Sequence, residues 1–166
     1  MSISVPLDAL LAYSDHERQK WQDWLAADAT RLHLRFQPGG RFPELGSLLD
    51  HVFLVERRHL SRLQGAVPPD STGIAPGDID ALFEYARLVR SDFRAYLDTL
   101  DEGAASGSMV ITGLQSSGDI TMSRRRLATH ILLHEMRHLA QLAYAARLAG
   151  HEPPGQHDIF YFGEFI

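Results

Sequence analysis

Residues 123–150, SRRRLATHILLHEMRHLAQLAYAARLAG, combine an uninterrupted helical pattern with three histidines set four positions apart. At about 100° and ~1.5 Å per residue, His130, His134 and His138 share one helical face, with about 6 Å along the axis between neighbours. Two imidazoles at that spacing can reach one ion. Leu127, Ile131, Leu142 and Ala145 lie on the same face, and Leu132, Met136, Leu139 and Ala143 form a second apolar stripe roughly opposite, so the helix is predicted to be buried on two sides. Ser123 is the predicted N-cap and Gly150 the C′ residue, with Pro153 and Pro154 beyond them as stop signals. A single histidine in such a helix is ordinarily a hydrogen-bonded core or surface residue. Three in phase among Leu and Ile leave several ring nitrogens to satisfy, and a shared ion satisfies them together. Metal binding by at least two of the three is therefore expected.

The composition narrows what surrounds this helix. A chain of 166 residues, 45% hydrophobic, fits one globular domain, 1–166, with a substantial core. With no cysteine there is no disulfide, no thiolate ligand and no thiol nucleophile of its own, so a transition metal must be held by histidine nitrogen or carboxylate oxygen. A net charge of −5 argues against nonspecific nucleic-acid binding. The N-terminus lacks a signal-peptide pattern and no stretch approaches the ~20 apolar residues of a membrane span, so a soluble cytoplasmic protein is expected.

Three further helices are predicted, over residues 5–29, 44–64 and 77–101, from apolar positions recurring at i, i+3 and i+4. Trp21 and Trp24 are read as core anchors of the first. The breaker-rich stretch around Pro38, Gly39, Gly40 and Pro43 makes a loop, and GAVPPDSTGIAPGD a longer connection. In the second helix His51 lies on the inward stripe beside Leu48, Val52 and Val55 and is the candidate third ligand. His59, two turns on, is expected near the helix end and out of its reach, and Glu56, Arg57 and Arg58 are read as a solvated face. MVITGLQSSGDITM reads as a short β-hairpin running directly into the last helix. The aromatic tail HEPPGQHDIFYFGEFI is expected to fold back, through Ile159, Phe160, Phe162 and Phe165, on the bundle or on another subunit.

The fold class is thus all-α, a four-helix bundle with a short β-hairpin before the fourth helix, an architecture that places metal sites between facing helices. His51, His134 and His138 would give three neutral nitrogens with open positions for water or substrate, and His130 is either an alternative ligand or a group behind the ligands. DHVFLVERRHLSRL around His51, the hairpin, and LATHILLHEMRHLAQL together resemble the DinB/YfiT-like superfamily over nearly the whole chain. The resemblance implies His51, His134 and His138 as ligands of a divalent metal such as zinc or nickel. It also implies frequent homodimers and, among members with an assigned activity, thiol-dependent S-transferases and isomerases acting on small molecules with bacillithiol, mycothiol or glutathione. The alternative is a family member that binds metal without turnover. Where common members read His-Arg-Gly-Gln, this chain has His138-Leu139-Ala140-Gln141, retaining the glutamine.

The same residues satisfy H-E-x-x-H, the zincin pattern in which Glu135 would be the general base. The longer metzincin form fails, because Gln141 and Tyr144 stand where glycine and the third histidine belong. A third ligand of another kind would have to come from Glu152 or Glu164. The helical wheel turns Glu135 away from the histidines, and a surface position is expected for it.

Overall fold

The computed structural model describes residues 6–36, 40–112, 118–159 and 162–163. Four long helices dominate: α1 (Leu7–Ala26), α2 (Leu45–Leu63), α3 (Ile79–Asp98) and α5 (Arg124–Leu148). A 3₁₀ turn at Ala29–His33 follows α1, a short helix α4 (Glu102–Ser106) follows α3, and strands β1 (Ser108–Ile111) and β2 (Ile120–Ser123) precede α5. The all-α class with one hairpin is as the sequence predicts. Helix α4 falls between the predicted third helix and the hairpin, where the periodicity predicts no element. It forms because the Asp101 side chain accepts from the Ala104 backbone N–H at 2.7 Å, capping a turn rich in alanine. The Asp28 carboxylate, accepting from Thr30 N–H, starts the 3₁₀ turn in the same way and ends α1 three residues before the predicted limit.

The hairpin is antiparallel, pairing Ser108 with Ser123 and Ile111 with Ile120, so it delivers the chain straight to α5. Ser123 then caps that helix, its hydroxyl accepting from Arg126 N–H at 3.2 Å. At the far end Gly150 adopts φ +80°, with its N–H bonded to Arg147 C=O and that of His151 to Ala146 C=O. This pair of bonds is the Schellman closure that a C′ glycine permits. Of the predicted hairpin turn, Ser116 and Ser117 lie outside the described residues, as do Pro38 and Gly39 of the earlier loop.

The chain divides into two compact units, residues 1–49 with 75–79 and 134–166, and residues 50–74 with 80–133. In the first, Leu11, Trp21 and Leu25 of α1 and Leu139, Leu142 and Ala146 of α5 are buried. Trp24, also expected in the core, is only half-buried and donates its indole N–H to Glu152 C=O at 2.8 Å. In the second unit the rings of Phe53 and Phe83 meet edge to face at 5.3 Å, and Phe93 and Ile111 are fully enclosed.

Each unit also buries an ion pair. In the first, the Arg18 guanidinium grips both carboxylate oxygens of Glu135, at 2.5 and 3.0 Å, and the Ser14 hydroxyl donates to the same carboxylate at 2.6 Å. In the second, Arg90 bonds both oxygens of Glu56, at 2.7 and 3.3 Å. The expectation of a solvated Glu56 is corrected here, since that residue is 3% exposed. Among the described residues, no helix is long and apolar enough to cross a membrane.

The tail is fastened to α1. Tyr13 donates to His157 C=O, and Lys20 Nζ to Gln156 C=O at 2.6 Å. The His157 ring stacks on Trp21, with centroids 5.8 Å apart and planes 10° from parallel, and its Nδ1 meets Glu17 Oε2 at 2.6 Å. Burial pushes the Glu17 carboxyl up, but the bonds from His157 and Lys20 more than offset it and hold the group below the ordinary carboxylate value. Phe162 packs on Tyr13 and His16 as the tail reading expects, and Ile159 is 42% exposed. Phe160 and Phe165 lie outside the described residues.

Candidate metal centre

His134 and His138, both buried on α5, bring their rings to 4.4 Å and their Nε2 atoms to 3.1 Å. Two nitrogens held ~2.0–2.1 Å from one tetrahedral ion stand about 3.3 Å apart, so this pair already has the bite of a chelate. Nδ1 of His138 faces Oε1 of Gln141 at 2.5 Å. An amide oxygen only accepts, so Nδ1 carries the hydrogen and Nε2 keeps its lone pair for a ligand role. Burial is the main cause that lowers the His138 pKa. Arg137 and Arg41 add to it, against the opposing bond to Gln141, and the ring is left neutral at neutral pH. Phe42 closes one side, its ring 6.2 Å from that of His138. It reaches there because the loop before α2 is pinned by Phe36 N–H to Pro43 C=O and Leu45 N–H to Leu34 C=O, both 2.9 Å.

Among the described residues His51, His134 and His138 form a group whose ligand nitrogens all lie within 4.8 Å of one another. Three imidazole nitrogens with no thiolate and no carboxylate in the set suit zinc and its neighbours rather than calcium or magnesium, which prefer oxygen. The residues present therefore fit a divalent transition metal. His130 is not part of the group. It is exposed, and its ring stands edge-on to that of His59 at 5.2 Å.

The zincin reading of Glu135 does not survive, and neither does the surface position expected for it. Glu135 is 2% exposed, and Arg18 and Ser14 engage both its oxygens. A carboxylate so held is a structural anion and a poor proton acceptor for a bound water. Glu152 is exposed and contributes only its backbone oxygen to Trp24, and Glu164 lies outside the described residues.

A model of the DinB family matches residues 1–162. The chain belongs to the DinB family. This DinB chain is also similar in fold to a conserved protein from Enterococcus faecalis, known from a crystal structure, with a TM-score of 0.62 at 16% sequence identity. The likeness covers 89% of this chain and 98% of the other. A search of curated proteins finds no match.

His59 of the DinB chain was expected near a helix end. It lies within the last turns of α2, yet it is buried, with Nδ1 3.4 Å from Arg62 Nη1. Burial, reinforced by Arg62, His130 and Arg58, lowers its pKa to about 3. The unfolded chain titrates near ~6.5, so below that pH the unfolded state takes up a proton that the folded state refuses. Stability from this residue is complete above ~6.5 and is lost as pH falls toward 3. The loss should reach about 2 kcal/mol by pH 5. Urea unfolding of wild type and His59→Gln at pH 7.5 and 5.0 checks this: the gap between them should narrow at the lower pH, and a constant gap would reject it.

Proposed function

We propose that this DinB protein holds a divalent transition metal, zinc or nickel, through His51, His134 and His138, and that it promotes reaction of a low-molecular-weight thiol with a small electrophile. The observation that carries the reading is the convergence of three histidine nitrogens in a chain without cysteine. The metal supplies Lewis acidity, which lowers a thiol pKa toward neutrality. The chain's own residues do the rest. Gln141 orients His138, burial keeps that ring unprotonated, and Phe42 sheds water from one side. In the reaction the sulfur of the exogenous thiol forms a bond to an electrophilic carbon. Its proton passes to solvent, and the leaving group departs with its bonding pair. We place the protein in the cytoplasm, where such thiols are kept reduced.

Purified protein loaded with zinc or nickel should accelerate consumption of electrophiles by bacillithiol, mycothiol or glutathione, and chelation should abolish the rate. Retained metal with indifference to every thiol would overturn the catalytic reading and leave a structural ion. Homodimerisation is proposed on the outward residues of α5: Tyr144 is 61% and Leu148 68% exposed, one turn apart. Sedimentation should give a dimer at micromolar concentration, and a monomer would refute it.

A further inference from the structure

Arg58 and Arg62 stand one turn apart on α2. Among the described residues Arg18, Arg57, Arg87, Arg90 and Arg125 each hold a carboxylate, and these two do not. Arg58 spends Nε and Nη2 on the backbone oxygens of Pro69 and Asp70, both at 2.7 Å. Those bonds fix the plane of the guanidinium and leave three of its five N–H donors. Arg62 approaches only the Nδ1 of neutral His59. Burial, with the charge of Arg58 beside it, holds the Arg62 pKa below its usual value. Both side chains border a cavity of about 580 Å³ that is also lined by Gly65, Pro69, Asp70 and Thr112. Asp70 offsets one positive charge and leaves one over, in a chain whose net charge is −5.

Two neighbouring guanidiniums, half-withdrawn from water, repel each other unless an anion lies between them. The cavity falls within the ~300–1,000 Å³ typical of small-molecule sites. We infer that the C-terminal end of α2, with the end of β1, forms a second binding site for a small molecule bearing a phosphate or carboxylate group. Arg58 and Arg62 are its anion contacts, and Thr112 supplies a hydroxyl. This site does not depend on the metal reading.

The test is titration of the purified protein with inorganic phosphate and, separately, with succinate, followed by amide NMR against sodium chloride at matched ionic strength. Saturable shifts centred on the amides of Gly65, Ala66 and Thr112 are expected. Phosphate alone would mark a phosphate ligand, succinate alone a carboxylate, and both a general oxyanion site. Arg62→Gln should weaken binding by roughly tenfold, with Arg62→Lys intermediate because an ammonium keeps the charge and loses the fork. Shifts reproduced by chloride, shifts centred on His51 and His138, or unchanged binding in Arg62→Gln would each overturn the site. The wild-type map decides the matter alone should the variant not fold.

Discussion

Purified protein should carry a stoichiometric divalent transition metal, and His134→Ala or His138→Ala should remove it. These two rings supply the preformed pair, with nitrogens 3.1 Å apart, so losing either leaves nothing to close a chelate. His51→Ala should cost nearly as much, because it removes the one member of the group that comes from another helix. Gln141→Ala should weaken retention ~10–100-fold while leaving the ligand set intact, since it frees the His138 ring to turn. His130→Ala should change little. Elemental analysis after dialysis against a graded chelator series reads the five variants beside wild type. Full metal content in His51→Ala would break the three-histidine set, and loss in His130→Ala as deep as in His134→Ala would show that the wrong pair was chosen.

Arg18→Met should be the most damaging substitution outside the histidines. It strands a Glu135 carboxylate that is 2% exposed, and orphaning one partner of a buried pair costs about 3–5 kcal/mol. For a chain of this length the melting temperature should fall by roughly 10 °C. The double variant Arg18→Met, Glu135→Leu should recover most of that loss, because it withdraws the charge along with its partner. Calorimetry on chelator-treated protein keeps metal linkage from masking the effect. A single variant that melts within a degree or two of wild type would show that the Arg18 pair is not what holds the carboxylate in place.

The fold was legible because it rests on periodicity. The i, i+3, i+4 rhythm located all four long helices, and the serine and glycine bounding α5 took the cap geometries that their chemistry favours. The histidine group was legible for a related reason: His134 and His138 are neighbours by helix geometry, and His51 was marked by its apolar companions. What stayed hidden were the buried charges. Residue type alone puts Glu56 on a solvated face, the angle to the histidines turns Glu135 outward, and both are buried against arginines, Arg90 and Arg18. Yet Leu11, Ser14, Arg18, Trp21 and Leu25 keep an unbroken alternation of three and four, and Glu56 lies in register with Val52 and Leu63. Phase places Arg18 and Glu56 inside, though no sequence rule names the partner. Phe42 gave no signal at all, because a breaker-rich loop has no period from which a contact can be read.

The tail's attachment to α1 has a consequence for how such chains can diverge. Tyr13, Lys20 and Trp24, on one side of α1, all donate to main-chain oxygens, those of His157, Gln156 and Glu152. Every residue type carries that acceptor, so these three bonds ask nothing of the side chains of Glu152 and Gln156, in contrast to the ring contacts made by His157 and Phe162. Glu152 and Gln156 are free to drift without loosening the strap, whereas an exchange at Tyr13 or Trp24 removes a donor that no change in the tail can restore. Variation in the strap is thus tolerated where α1 reads only the backbone, at Glu152 and Gln156, and is constrained where it reads a ring, at His157 and Phe162.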